Sequence, residues 1–314
     1  MSTEVHVMPP VVGALKSAIE FENQARTPWR GIIPAQKEFL TETYFPYMER
    51  KFLSLFSPDE MKYIASFSAD EINKFLEENK FSIRLDPFTS ETDFGAASVM
   101  DISVKWVEEA ERTTMFVDKN GKETNYPAIK IKDYFETFMI DGIQFAEIHL
   151  KYESKDRMIL AKGPFNSQTA KNPLKLYSKT LAANKDKKTR NGFSSLVIPK
   201  INLDCESDLS FLLGMQFDGV VSSTQEPATF CVSQALQQTK FKLNEFGARA
   251  RSAAAVAVLR CATVRKEMVP PLVFDEPFML WLIRTDEKTG DEVVYFASYL
   301  DIDVWKESGS LDDM

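Results

Sequence analysis

The stretch that decides the fold is CVSQALQQTKFKLNEFGARARSAAAVAV, residues 231–258. Its second half is rich in alanine, which taken alone favours a helix. Yet Arg249 and Arg251 lie two positions apart, which is the spacing of side chains on one face of a strand. Three interpretations are therefore open at this point: a helix, a strand, or a segment that becomes a strand later.

The overall composition is that of an ordinary globular protein. The chain has 314 residues, of which 44% are hydrophobic and 27% are charged, and this length allows one large domain or two medium ones. The formal net charge of -8 argues against a general nucleic-acid binder, which needs a basic surface. We interpret the basic cluster NKDKKTRNG, residues 184–192, as a solvated loop.

The cysteine count bears on the cellular compartment. Cys205, Cys231 and Cys261 form an odd set without the spacing of a metal site, so we expect thiols in a reducing compartment. The first residues, MSTEVHVMPP, lack the pattern of a secretory signal. No apolar run approaches the roughly 20 residues of a membrane span. The expected location is cytoplasmic, and an extracellular one is left open.

The sequence offers little for catalysis. His6 falls in a terminus that we expect to be mobile, and His149 belongs to the alternating run FAEIHLKY, where a structural role is expected. GxGxxG, Walker A, HExxH and CxxC patterns are all absent. We therefore predict that the protein is not an enzyme, with no catalytic residue, no cofactor and no metal.

Helical patterns fill the first part of the chain. Helices are predicted over 13–25 and over 41–56, the second interrupted by Pro46. A third, through Ile72, is predicted to begin after Ser68 because acidic residues fill its first turn.

Strand patterns dominate from about residue 95 onward. A short helix is predicted in ESDLSFLLGM, residues 206–215, with Gly214 near its end. The last two strand runs, LVFDEPFMLWLIRT and EVVYFASYLDIDVW, are joined by the hairpin signal DEKTGDE. No repeat or linker interrupts these segments, so the pattern predicts a single α+β domain.

Taken together, these segments resemble the serpin family. Residues 231–258 resemble the strand that leads into the hinge of the reactive-centre loop, and VFDEPFMLWLIR with VVYFASYLDI resembles the paired strands that end the fold. LVIPKINLDCESDLSFLLGMQFDGV and YPAIKIKDYFETFMIDGIQFAEIHLKYESKDRMILAKGP are similar to other family segments. Trp106 is at the position of the tryptophan in the breach, the upper end of the central sheet.

The resemblance implies an α+β serpin-like fold with a large mixed central sheet, further β-sheets, surrounding helices and an exposed reactive-centre loop. It implies one domain over residues 1–314, with a divergent N-terminus over 1–30 and the hinge and loop over 245–269.

The function implied by the resemblance is suicide inhibition of a serine or cysteine protease. The protease would cleave the loop, and the freed loop would insert as a strand into the central sheet. Alanine-rich sequence then serves insertion, because one strand face would carry only small side chains. The implied hinge residues are Glu245, Gly247, Ala248, Ala250, Ser252 and Ala254.

The position of the bait bond depends on how the loop is counted. Counting forward from Gly247 places the bond between Cys261 and Ala262, whereas counting backward from Pro270–Pro271 ends near Lys266. The alternative sites are Arg260, Arg265 and Lys266. The expected partner is a target protease, with neither nucleic acid nor membrane, and the oligomeric state is left open, with a monomer as one alternative.

Several departures favour the alternative of a non-inhibitory binding or regulatory protein. The shutter, which controls opening of the central sheet, has Ser98 and Gln237 where the family has an asparagine and a histidine, and Val104 replaces a glycine. Only about thirty residues precede the segment QKEF, so we expect the helix buried behind the central sheet to be lacking or replaced.

Overall fold

The computed structural model describes residues 2–21, 25–90, 93–119, 122–151, 156–182, 189–221, 223–249 and 269–311. The chain divides into two compact units, and each is considered by itself. The first unit comprises Met1–His6, Ile102–Leu203 and Lys240–Met314, and the second comprises Val7–Asp101 and Asp204–Thr239.

The regular elements are numbered in chain order. The strands are β1 (Glu4–His6), β2 (Met61–Ser66), β3 (Gly95–Met100), β4 (Val104–Lys105), β5 (Glu111–Lys119), β6 (Lys122–Ile131), β7 (Phe135–Ile140), β8 (Ile143–Ile148), β9 (Asp156–Lys162), β10 (Thr189–Asn191), β11 (Leu196–Pro199), β12 (Ile201–Asp208), β13 (Gln216–Val220), β14 (Pro227–Cys231), β15 (Leu236–Asn244), β16 (Gly247–Arg249), β17 (Leu272–Val273), β18 (Phe278–Thr285) and β19 (Glu292–Leu300). The α-helices are α1 (Met8–Glu20), α2 (Pro34–Phe39), α3 (Phe45–Glu49), α4 (Ala69–Glu78), α5 (Ser167–Ala170) and α6 (Pro173–Leu176). Leu40–Tyr44 and Tyr177–Ala182 are π-helical, and Phe52–Leu55, Ser210–Leu212 and Ile302–Val304 are 3-10 turns.

The largest sheet belongs to the first unit and has the strand order β1–β19–β18–β9–β8–β7–β10. All of its pairs are antiparallel. The sequence FMLW within β18 is apolar at successive positions because both faces of this strand are buried. Trp281 at its centre is fully buried, and its indole N–H donates to the carbonyl of Pro173 at 3.0 Å. The predicted pairing of the last two strands is confirmed, from Phe278 opposite Leu300 to Thr285 opposite Glu292.

Two four-stranded sheets surround the candidate site. One has the order β17–β11–β6–β5 and contains the parallel pair β11–β17. The other has the order β12–β15–β16–β4. Within the second unit, α1 packs on the antiparallel pair β2–β3. The predicted helix after Ser68 is confirmed as α4, because the Ser68 hydroxyl accepts from the Glu71 N–H and caps the first turn.

The N-terminal residues correct one expectation and shift the bounds of a predicted helix. The terminus around His6 is not mobile, because β1 pairs with β19 and places His6 opposite Ala297. The helix predicted over 13–25 is present as α1, which begins earlier, at Met8, and ends at Glu20; Pro9 and Val12 in its first turns are buried. The apolar run VHVMPPVVGAL gives enough buried surface for both elements.

Two further helix predictions are only partly right. The interruption at Pro46 takes the form of the π-helical turn Leu40–Tyr44, which leaves Pro46 in the first turn of α3, where its missing N–H costs nothing. The helix predicted in 206–215 is only the 3-10 turn Ser210–Leu212, because β12 extends to Asp208. Over the described ranges, no helix is long and apolar enough to cross a membrane.

Candidate functional site

The candidate site is the turn at which the predicted loop leaves the sheet. At the end of β15 the chain turns back through Glu245 and Phe246 into β16. One edge of β16 pairs antiparallel with β15, with Leu243 opposite Ala248. Its other edge pairs antiparallel with β4, with Ala248 opposite Val104. The first residues after the turn, Gly247–Arg249, therefore already form a strand that is paired on both edges, with β15 on one side and β4 on the other.

The first two residues of this short strand, Gly247 and Ala248, have the small side chains that a strand buried between two neighbours requires. Ala248 is only 1% exposed. Gly247 has φ of +149°, and a Cβ there would clash with the carbonyl oxygen of Val104 and lie 2.9 Å from the Cα of Lys105. The family resemblance implies Gly247 as a hinge residue, and the structure shows that this position requires glycine because two backbones approach closely there.

Glu245 anchors the turn through buried charges. Its side chain is 3% exposed, and its carboxylate lies 3.0 Å from the Lys200 ammonium and 2.5 Å from the Arg112 guanidinium. Lys200 also contacts the Glu307 carboxylate at 2.9 Å. The main-chain carbonyl of Glu245 accepts from the N–H of Ala110 at 2.9 Å. The turn is thus fixed by both its backbone and its side chain.

The ionisation of this cluster follows from those contacts. Burial acts to raise the pKa of Glu245, but a backbone hydrogen bond and the hydrogen bond and charge of Lys200 outweigh it, so the pKa lies below its usual value. Burial acts to lower the pKa of Lys200, but Glu307 and Glu245 outweigh it and raise that pKa. Both groups are therefore charged at neutral pH.

The predicted breach tryptophan lies directly beside this turn. Trp106 is 3% exposed and bridges to Leu150. Its indole N–H donates to the carbonyl of Asn244 at 2.9 Å. The Asn244 amide in turn accepts from the N–H of Phe246 at 3.0 Å and donates to the carbonyl of Gly309 at 3.2 Å. These bonds hold the last residue of β15 from three directions.

The two predicted shutter residues both lie against α1 in the second unit. Gln237 is buried in β15 and donates to the carbonyl of Val7, the residue that precedes α1, at 2.6 Å. Ser98 lies in β3, and its buried hydroxyl has no hydrogen-bond partner within the described residues. A Cβ on Gly13 of α1 would lie 2.9 Å from that hydroxyl oxygen. Gln237 therefore bonds to the residue that precedes α1, whereas Ser98 only lies close to the helix at Gly13.

Most of the predicted loop lies outside the described residues. Of the hinge, Glu245, Gly247 and Ala248 are described. The remaining predicted positions fall outside the described ranges: Ala250, Ser252, Ala254, Arg260, Cys261, Ala262, Arg265 and Lys266.

Sequence reasoning missed the charged partners of Glu245. Lys200 ends the quoted segment LVIPK, and a lysine directly after a buried strand is the signal that could have drawn attention to it. Arg112 gave no such signal, because its side chain is 71% exposed and it precedes Glu245 by many residues.

Comparison with known proteins agrees with this architecture. The family described as Serpin (serine protease inhibitor) matches residues 36–296, which is most of the chain. The chain therefore belongs to the serpin family. Members of this family are generally not enzymes. No curated protein matches closely enough to count as a relative.

The similar solved structures confirm the fold. The crystal structure of human thyroxine-binding globulin complexed with thyroxine matches with a TM-score of 0.61 at 14% identity, over 98% of this chain and 93% of that one. A second structure, of a thyroxine-binding globulin in complex with thyroxine, matches with a TM-score of 0.56 at 14% identity, over 95% of this chain and 92% of that one. At this identity the likeness concerns the fold alone.

Proposed function

We propose that this serpin inhibits a serine protease, with cysteine proteases as the other target class, by inserting its cleaved reactive-centre loop into the central sheet. The observation that supports the proposal is β16, in which Ala248 is buried and paired on both sides. Strand addition gains main-chain hydrogen bonds and requires side chains that fit the faces of the sheet. The alanines that follow β16 in the sequence meet that requirement.

The proposed bait bond is Cys261–Ala262, with Arg260, Arg265 and Lys266 as alternatives. Basic residues would suit trypsin-like proteases, whose specificity pocket contains a carboxylate. A cysteine would suit a pocket for small or medium apolar side chains. Cys205 and Cys231 form no disulfide within the described residues, which fits the proposed cytoplasmic location.

A panel of trypsin-, chymotrypsin- and papain-like proteases tests the proposal. Inhibition predicts a covalent complex with at least one enzyme that survives a denaturing gel. Ala248→Arg would place a charge at a buried position, so this variant should be cleaved without forming the complex. Phe246→Ala is the matched control, because Phe246 is 49% exposed in the neighbouring turn. If every enzyme gives only clipped protein, the inhibitor proposal fails.

The second candidate is a non-inhibitory binding or regulatory protein. It is supported by the altered shutter, in which Gln237 bonds to the backbone next to α1. It is also supported by the fold likeness to thyroxine-binding globulin, a protein in complex with thyroxine. This candidate predicts that loop cleavage leaves the melting temperature unchanged, since no strand is added to the sheet.

A further inference from the structure

Among the described residues, strand β5 is an edge strand of its sheet in the first unit. It is the last strand in the order β17–β11–β6–β5 and extends from Glu111 to Lys119. Phe116, in its second half, is 68% exposed, the largest value among the exposed large apolar side chains of the described residues. A long edge strand with an exposed aromatic side chain is a template for pairing with another strand.

The pairing of the neighbouring strands shows which residues of β5 direct their main-chain N–H and C=O groups toward β6 and which direct them outward. The main-chain N–H of Lys200 donates to the carbonyl of Pro127, on the side of β6 opposite to β5. The main-chain groups of the odd-numbered residues of β6 therefore point away from β5. Because Thr113 lies opposite Ala128, the odd-numbered residues of β5 bond to β6. The main-chain groups of the even-numbered residues consequently point outward. The N–H of Ala110, another even-numbered residue, also points outward, because it bonds to the carbonyl of Glu245 beyond this edge.

The outward residues are also the exposed ones. Arg112, Thr114, Phe116 and Asp118 are all exposed, whereas Met115 between them is buried. More exposed and less exposed side chains therefore alternate along β5, as expected for a strand with one buried face. A strand added at this edge would lie beside the exposed row of side chains.

The sequence of β5 is complementary to itself. ERTTMFVDK has a glutamate and an arginine at one end and an aspartate and a lysine at the other. Two copies paired antiparallel around a two-fold axis at Met115 would place Arg112 opposite Asp118 and Thr114 opposite Phe116. This register pairs even-numbered residues with even-numbered residues, as the outward main-chain groups require. Opposite charges across an antiparallel pair are stabilising, and Phe116 would be covered by the second copy.

We propose that a second copy of this chain docks on β5, so that the two β5 strands form a continuous antiparallel sheet across a two-fold axis. Arg112 can take part without losing Glu245, because one guanidinium nitrogen makes that contact and the guanidinium has other N–H donors. Within the described residues, the carbonyl of Thr114 accepts a long bond of 3.5 Å from the Thr113 hydroxyl, and its second lone pair can accept from the other copy. This proposal is independent of protease inhibition.

The mass of the wild-type protein in solution is the first test. Strand pairing buries a small area, so we expect a reversible dimer that forms as concentration rises through the micromolar range, measured by sedimentation velocity. Thr114→Pro removes an outward N–H that β6 does not use, so the dimer should be lost while the circular dichroism spectrum is retained. Thr114→Ala is the matched control, which keeps the N–H and should still dimerise.

A charge exchange tests the register and does not depend on the proline variant folding. Asp118→Arg places two arginines opposite each other and should be monomeric, as should Arg112→Asp, which sets two aspartates opposite each other. A mixture of these two variants should restore a dimer that contains one copy of each. A wild-type protein that stays monomeric would leave this edge to a strand from a different protein and contradict the proposal. A dimer that persists in both Thr114→Pro and Asp118→Arg would place the interface elsewhere and contradict it equally.

Discussion

The indole N–H of Trp106 donates to the main-chain carbonyl of Asn244 at 2.9 Å. Asn244 is the last residue of β15, directly before the turn into the hinge. The tryptophan therefore fixes the point from which the predicted loop departs. Insertion would then begin at a defined end of the sheet β12–β15–β16–β4.

Trp106→Phe keeps a large apolar ring but removes this donor. We expect a loss of about 1–3 kcal/mol in the free energy of unfolding, because a buried carbonyl would be left without its partner. Urea denaturation measures the change, and Phe246→Ser, in the exposed part of the turn, is the control. Equal stability of the Trp106 variant and the wild type would mean that the bond does not anchor the turn.

Substitution in the buried ion pair of the largest sheet should reduce the free energy of unfolding more than substitution in an exposed ion pair. Arg284 contacts Asp156 at 2.7 Å, and the two side chains are 6% and 3% exposed. Asp156→Ala would leave the arginine buried without this carboxylate, which costs about 3–5 kcal/mol and should lower the melting temperature clearly. Lys132→Ala removes an ion pair with Glu111 that is exposed on both sides, so the expected loss is only about 0–1 kcal/mol. A similar loss in both variants would contradict this ranking.

The hinge turn should be sensitive to acid. The pKa of Glu245 is lowered from its usual 4.5, so its contribution to stability is complete above pH 4.5 and is lost as the pH falls through the folded-state pKa. Glu245→Gln removes this titration and should make stability depend less on pH in that acid range. The check is the melting temperature as a function of pH, and parallel curves for the two proteins would refute the assignment.

His6 should give a second pH dependence closer to neutrality. Burial lowers its pKa from 6.5, although the charge of Glu4 and a hydrogen bond that the imidazole donates to the backbone carbonyl of Lys171 act against it. Because the unfolded chain binds the proton first, the stability from neutral His6 is complete above pH 6.5 and is lost as the pH falls below it. His6→Phe should flatten the melting temperature between neutral and mildly acidic pH, and an unchanged slope would show that another group is responsible.

The sequence was most informative where local pattern and burial agree. The paired strands β18 and β19 follow from successive apolar residues, and α4 follows from its Ser68 cap. The helix predicted over 13–25 is present as α1, but its start was placed too late, because Pro9 and Pro10 were not recognised as residues of a first helical turn.

The charged cluster at the hinge was beyond prediction from local pattern. Lys200 and Arg112 reach Glu245 from distant parts of the chain, and no spacing rule relates positions that only the fold brings together. The hinge itself was predicted to be an exposed loop until cleavage, whereas Gly247–Arg249 is already a paired strand. Small side chains explain why that pairing is possible.

The central claim is that the loop continues the path of β16 into the sheet, and the melting temperature before and after loop cleavage tests it most directly. A protease that cuts the loop without being trapped supplies the cleaved protein. Insertion of the loop predicts a large rise in melting temperature on cleavage in the wild type and little or none in Ala248→Arg. An unchanged melting temperature in the wild type would contradict it.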